Sequence, residues 1–155
     1  MARVVLLTGS NRGEKRALLE SAKRYIAAEV GEIVQESQVY ESEPWGFSDP
    51  ECFLNQALVA ETGLEPLDVL DRIQAIEARL GRRRGGEEQK EAEERKYEAR
   101  PIDIDILFYD DRIIENDRLT VPHPLIPVRE FALKPLREIL GDFVHPVFGK
   151  PIREM

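Results

Sequence analysis

With 155 residues, 42% of them hydrophobic, and a formal charge of −8, the chain is sized for one domain with a substantial core. That charge excludes broad nucleic-acid binding, which needs a basic face, and no run approaches the roughly 20 apolar residues of a membrane span. Cys52 is the lone cysteine, so it leaves no internal disulfide and suits a reducing cytoplasm. With only two histidines in the chain, a half-buried thiol is a better reading of it than a nucleophile. The apolar run Val4–Leu7 is too short for a signal peptide, so a cytoplasmic protein is expected.

Arg3 to Thr8 is apolar and β-rich, as a central strand would be. Gly9-Ser10-Asn11-Arg12-Gly13 breaks it and reads as a tight turn into a helix from about Glu14 to Glu29, with Leu18, Ala22, Tyr25, Ile26 and Glu29 at helical spacing. A strand, a glycine loop and a helix can hold an anion, but this is no P-loop: three residues separate the glycines and Glu14 follows. Ile33–Tyr40 and Phe53–Glu61 predict two strands joined by a long loop containing Pro44-Trp45-Gly46-Phe47. In the second, Phe53, Asn55, Ala57 and Val59 share a face. A ring beside a carboxamide fits either a core position at a strand end or a flat heterocycle with amide-like edges.

Pro66 suits a first helical position, and Leu67, Leu70, Ile73, Ile76 and Leu80 form a stripe ending at Gly81, with Gln74 and Glu77 along its border. Arg82-Arg83-Arg84-Gly85-Gly86 and the charged run Glu87 to Lys96 follow, a solvated segment with little apolar surface to bury. Next comes ARPIDIDILFYD, Ala99 to Asp110. Alternation sends Ile102, Ile104 and Ile106 into a core and puts Asp103, Asp105 and Leu107 on the other face. The two carboxylates fit a solvated acidic edge, or they ligate a hard divalent cation such as Mg²⁺, which takes one or two carboxylates plus phosphate oxygens. Arg100 upstream carries the planar fork that suits phosphate. Short β pieces are expected around Arg112–Ile114 and Arg118–Val121. A turn-rich loop with Pro122-His123-Pro124 follows, then a helix from Glu130 to Leu140 with Pro135 inside. The order β-α-β-β-α-β predicts an α+β, ferredoxin-like domain over residues 1–155: an antiparallel sheet with helices on one face.

Several stretches, in order, resemble the 6-hydroxymethyl-7,8-dihydropterin pyrophosphokinase family of folate biosynthesis. They are Gly9-Ser10-Asn11, Glu43-Pro44-Trp45-Gly46, Phe53-Leu54-Asn55, Gln74-x-x-Glu77, Gly81-Arg82-x-Arg84, Arg100-Pro101-Ile102-Asp103-Ile104-Asp105-Ile106, Val121-Pro122-His123-Pro124, Arg129-x-Phe131, Pro135-Leu136 and His145-Pro146-Val147. The resemblance implies transfer of pyrophosphate from ATP to the hydroxymethyl oxygen of the dihydropterin, releasing AMP. It implies that Asp103 and Asp105 hold two Mg²⁺ ions and that Arg82, Arg84 and Arg100 complete the catalytic set. Ser42, Pro44, Trp45, Phe53, Asn55 and Phe131 match the pterin pocket. Gln74, Glu77, Arg82, Arg84, Arg100, His123 and Arg129 match positions at the nucleotide, and Ile106, Arg118 and Thr120 the adenine and ribose wall. The expected partners are these two small molecules, with no nucleic acid or membrane, and a monomer suffices.

The chain departs from the family before Arg100. Lys96-Tyr97-Glu98-Ala99 stands where the family shows Arg-Trp-Gly-Pro, and the segment from Gly85 to Arg95 is longer. Lysine keeps charge but loses the fork. Two other functions compete: a different Mg²⁺-nucleotide enzyme using D-x-D, such as a nucleotidyltransferase, and a ferredoxin-like ligand-binding module without catalysis. The first explains the aspartates but not Phe53-x-Asn55 with Phe131. The second needs no acidic pair.

Overall fold

The computed structural model describes residues 1–11, 13–42, 53–81 and 102–155. Its centre is β1 (Ala2–Ser10), paired antiparallel with β4 (Phe53–Thr62) on one side and β5 (Asp103–Tyr109) on the other. β2 (Glu32–Glu36) and β3 (Tyr40–Ser42) both pair with the far edge of β4, giving the order β2-β4-β1-β5. Helices α1 (Lys15–Glu29) and α2 (Pro66–Gly81) complete the expected β-α-β-β-α-β order. A small ribbon of β6 (Ile114–Glu115) and β7 (Thr120–Val121) precedes α3 (Glu130–Leu140). No helix among the described residues is long and apolar enough to cross a membrane.

Two cores lie on opposite faces of the sheet. On one, Val4 and Leu6 of β1 and Ile104 and Ile106 of β5 pack with Leu19, Ala22 and Ile26 of α1 and Val69, Ile73 and Ile76 of α2. Ala22, Ile26, Ile73 and Ile76 are buried as predicted, and only the first position of each stripe differs: Leu19 is buried and Leu18 half-buried, and Val69 is buried where Leu67 is exposed. On the other face, Ala132, Leu133 and Leu136 of α3 cover Val5, Leu7, Ala57 and Val59. The two helices of the β-α-β-β-α-β core thus share one face as expected, and α3, which follows that core, packs on the other. The second sheet face is itself apolar along Val5, Leu7, Ala57 and Val59, and α3 brings an amphipathic stripe to cover it.

Two strand boundaries also differ. β1 runs on through Gly9 and Ser10, whose partners on β4 are Asn55 and Leu54, so Gly9 belongs to a strand and not to the turn. A glycine inside a strand marks close approach of a neighbour. The strand expected over Ile33–Tyr40 divides into β2 and β3 around Ser37. There the Ser37 hydroxyl accepts the Ala57 N–H (2.9 Å), the Ser37 N–H donates to the Ala57 carbonyl (2.9 Å), and Gln56 Nε2 donates to the Ser37 carbonyl (2.8 Å). A side chain therefore carries the ladder across the break.

Behind α3 the chain closes on His145, only 2% exposed. Its Nδ1 accepts the N–H groups of Val147 (3.1 Å) and Phe148 (3.3 Å), and its ring packs edge-on against Phe108 at 5.4 Å. Burial pushes this imidazole below its ordinary value of 6.5. As the pH falls, the unfolded chain takes up the proton first, so this contribution to stability is full above about pH 6.5 and declines below it. His123 shifts in the same direction, so a variant comparison isolates His145. His145→Asn keeps an acceptor for the loop amides without titrating. The urea midpoint of the parent should fall more steeply than that of His145→Asn between pH 7.5 and 5.5.

Candidate active site

A cleft opens beside the start of α3, at the end of the sheet where β1 finishes and β4 and β5 begin. There the register sets Gly9 between Asn55 and Asp103, and Leu7 between Ala57 and Asp105. Directly paired residues share a face. Leu7, Gly9, Phe53, Asn55, Asp103 and Asp105 therefore line one side of a cleft of about 150 Å³, and Arg129 and Phe131, from the start of α3, close the other. Aromatic surface, a carboxamide, two carboxylates and a guanidinium meet in it.

Each side chain is held by the local fold. Asn55 is almost fully buried; its Nδ2 donates to the Thr8 carbonyl (3.3 Å), and the Ser42 hydroxyl lies 3.5 Å from its Oδ1. The Arg129 guanidinium sits over the Phe131 ring at 5.4 Å, a cation–π contact that also orients the ring. Pro135 has no N–H for the Phe131 carbonyl, so the helical ladder is interrupted where Phe131 enters the cleft. His123 N–H donates to the Leu107 carbonyl (3.0 Å), and its Nδ1 accepts from Leu125 N–H (3.2 Å), which puts the hydrogen of the neutral ring on Nε2. Burial lowers the His123 pKa, and the Arg129 charge adds to that against the opposing pull of Asp105. At neutral pH His123 is a neutral donor.

Of the nucleotide positions expected from sequence, Arg129 lines the cleft itself, and Gln74, Glu77 and Arg118 form a second group beside β5. Glu77 Oε2 accepts the Ile104 N–H (2.9 Å), and Arg118 Nη2 bonds Asp71 Oδ1 (2.6 Å) and Gln74 Oε1 (3.4 Å). Thr120 is exposed on β7. Ile106 is 5% exposed and belongs to the α1/α2 core. Pro44, Trp45, Arg82, Arg84 and Arg100 lie outside the described residues, as do Cys52 and the segment from Gly85 to Ala99. Sequence reasoning did not place Leu7, Thr8 or Gly9 at the cleft: Gly9 entered only through the Gly9-Ser10-Asn11 motif, and what brings Leu7 and Gly9 there is their pairing with Asp105 and with Asn55 and Asp103.

Asp103 and Asp105 are an oxygen donor set of the kind a hard cation takes. Among the described residues no three His, Cys, Asp or Glu side chains converge into a closed metal cage. Two carboxylates fit an ion that fills its remaining positions with water and phosphate oxygens.

Residues 5–141 match the family model for 7,8-dihydro-6-hydroxymethylpterin-pyrophosphokinase (HPPK). The chain belongs to this family. It is 40% identical to the 2-amino-4-hydroxy-6-hydroxymethyldihydropteridine pyrophosphokinase of Aquifex aeolicus, over 99% of this chain and 90% of that protein. It is 39% identical to the pyrophosphokinase of the same name from Methylorubrum extorquens, over 99% and 91%. The fold is similar to the crystal structure of Plasmodium falciparum HPPK-DHPS wild type with SDX-DHP, with a TM-score of 0.75 at 19% identity. That comparison covers 99% of this chain and 42% of the longer one.

α3 is tied to β3 from outside the cleft. Glu138 Oε1 accepts the Tyr40 hydroxyl (2.6 Å) and the Gln38 N–H (3.0 Å), and Tyr40 is the cross-strand partner of Asn55. The bond to Glu138 holds the Tyr40 phenol protonated, raising its pKa above the ordinary tyrosine value. Ring NMR signals of Tyr40 should titrate above the normal range in the parent and return to it in Glu138→Gln, with a lowered thermal midpoint. An unchanged Tyr40 titration would show that this tie does not form in solution.

Proposed function

We propose that this chain transfers the pyrophosphoryl group of ATP to the hydroxymethyl oxygen of 6-hydroxymethyl-7,8-dihydropterin, giving AMP and the pterin pyrophosphate, a step of folate biosynthesis. The observation that supports it best is the convergence of Phe53, Asn55 and Phe131 with Asp103, Asp105 and Arg129 on one cleft. A flat heterocycle stacks between the two rings while Asn55 reads its amide-like edge. Its hydroxymethyl arm then points along the sheet toward the carboxylates.

Asp103 and Asp105 hold Mg²⁺, two ions with ATP, which supply charge neutralisation and a more acidic acceptor hydroxyl. The protein's own work is positioning. Arg129 pairs with phosphate oxygens, and His123 donates to them through Nε2–H. Gln74, Glu77, Arg118 and Thr120 border the nucleoside. The pterin oxygen forms its bond to the β-phosphorus as the bond from that phosphorus to the α,β-bridging oxygen breaks; AMP leaves with that oxygen and the hydroxyl proton passes to solvent. Such a transfer asks little covalent chemistry of the protein, so alignment and charge carry the rate. The enzyme acts as a cytoplasmic monomer.

The nucleotide product tests this. With ATP, Mg²⁺ and the hydroxymethyl dihydropterin, chromatography should show AMP appearing in step with pterin pyrophosphate. Pyrophosphate release would point to nucleotidyl transfer, and no turnover to a binding module. Asp103→Ala or Asp105→Ala should fold normally, because a like-charge pair has been relieved, while turnover falls by orders of magnitude. Activity within a few-fold of the parent would remove them from the mechanism.

Asn55→Ala strands polar groups of a buried ligand, at about 1–3 kcal/mol each, and Phe131→Ala removes a stacking face. Titration calorimetry should show pterin affinity falling much further than ATP affinity in both variants. Equal losses would mean the pocket is misassigned.

A further inference from the structure

We propose that Gly9 is a positioning residue for pterin recognition: the Cβ it lacks leaves the space in which the Asn55 carboxamide is locked in one orientation. This rests on the assignment of Asn55 to the pterin. Gly9 lies directly opposite Asn55 in the β1–β4 ladder and lines the same cleft. A Cβ at position 9 would stand 2.6 Å from Asn55 Nδ2, with the Leu54 carbonyl at 3.8 Å. The clash is therefore with the carboxamide itself and not with the backbone of β4.

That space lets Nδ2 reach across β1 to the Thr8 carbonyl at 3.3 Å. A carbonyl only accepts, so it admits the nitrogen end of the amide and repels the oxygen end. Thr8 is itself fixed, fully buried, with its hydroxyl donating to the Gln56 carbonyl at 3.2 Å. One Nδ2 hydrogen is thus spent on Thr8. The second hydrogen and Oδ1, with the Ser42 hydroxyl 3.5 Å away, are left side by side as a donor and an acceptor. This is the pairing that reads a lactam edge, and a flipped amide would present it reversed.

Asn55 has a short side chain rooted near the start of β4, where that strand is paired on both sides. It yields to a Cβ at position 9 by turning about χ2, which breaks the bond to Thr8 and misaligns the donor–acceptor pair. Gly9→Ala should therefore weaken pterin binding about 10-fold, since the ligand's polar edge is then left unmatched. ATP affinity should stay within about twofold.

The deciding measurement is a double-mutant cycle read with calorimetry and side-chain amide NMR. In the Asn55→Ala background the obstructed group is gone, so Gly9→Ala should add little further loss. The Asn55 NH₂ resonances, identified by their disappearance in Asn55→Ala, should shift and exchange faster in Gly9→Ala. Should Gly9→Ala alone fail to fold, the Gly9→Ala/Asn55→Ala double variant should restore the thermal midpoint, and absence of that rescue overturns the proposal. A Gly9→Ala loss that persists undiminished without Asn55, or unchanged Asn55 amide signals, overturns it too. If Asn55→Ala leaves pterin affinity intact, the pterin assignment falls, and the amide signals still decide whether Gly9 orients Asn55.

Discussion

Asp103 and Asp105 face the cleft because Ile102, Ile104 and Ile106 cannot leave the core. The three isoleucines are buried against α1 and α2, and each contributes roughly 1.5–3 kcal/mol of burial. Slipping β5 by one residue would expose all three and drive two carboxylates into apolar surroundings. The acidic pair is thus fixed by side chains on the opposite face of the strand. Past Leu6 the β1–β5 register shifts, so that Leu107 and Phe108 both join the α3-side core while Tyr109 joins the other. The irregularity begins just after the aspartates and leaves their alternation intact.

The cleft exists because one helix covers only part of a face. α3 lays Ala132, Leu133 and Leu136 over Val5, Ala57 and Val59, and the remaining end of the same strands stays open as the floor of the site. Phe131 and Arg129, at the start of that helix, become the facing wall. Cleft width therefore follows from how α3 seats on the sheet. Gln35 donating to the Ile139 carbonyl (3.2 Å) and Glu138 receiving Tyr40 and Gln38 tie that seating to β2 and β3. The same β3 pairs with the strand that presents Asn55 and Phe53. Both walls of the cleft are referred to one sheet edge.

Much of this was legible because period and polarity agree locally. The D-x-D alternation, the shared face of Phe53, Asn55, Ala57 and Val59, and α3 from Glu130 to Leu140 follow from spacing alone. What spacing hides is which neighbour an element meets. Leu18 and Leu19 are equally apolar, and only docking of α1 on the sheet selects Leu19. Gly9 reads as a turn residue because local propensity is blind to a carboxamide arriving from 46 positions later in the chain. The Ser37 break is invisible for a similar reason: its hydroxyl replaces a ladder group, and the partner is on β4. The second sheet face was underestimated because the β-α-β-β-α-β order says nothing of a helix that follows it.

β5 is also a sheet edge, and an edge strand ordinarily shows unpaired backbone groups to any passing chain. Here parts of that edge are taken up from within. The Glu77 carboxylate accepts the Ile104 N–H, between the two aspartates, and the His123 N–H donates to the Leu107 carbonyl just beyond them. One contact comes from α2 and the other from the loop after β7, so strand, helix and loop meet around Asp103 and Asp105. Backbone anchored on both sides cannot drift as charge gathers at the carboxylates, and groups that need no reorganisation are the ones that stabilise developing charge most effectively. Glu77 therefore has a structural task at the strand as well as the place beside the nucleoside proposed for it. Through that bond the acidic border of α2 contributes to the rigidity of the strand it faces.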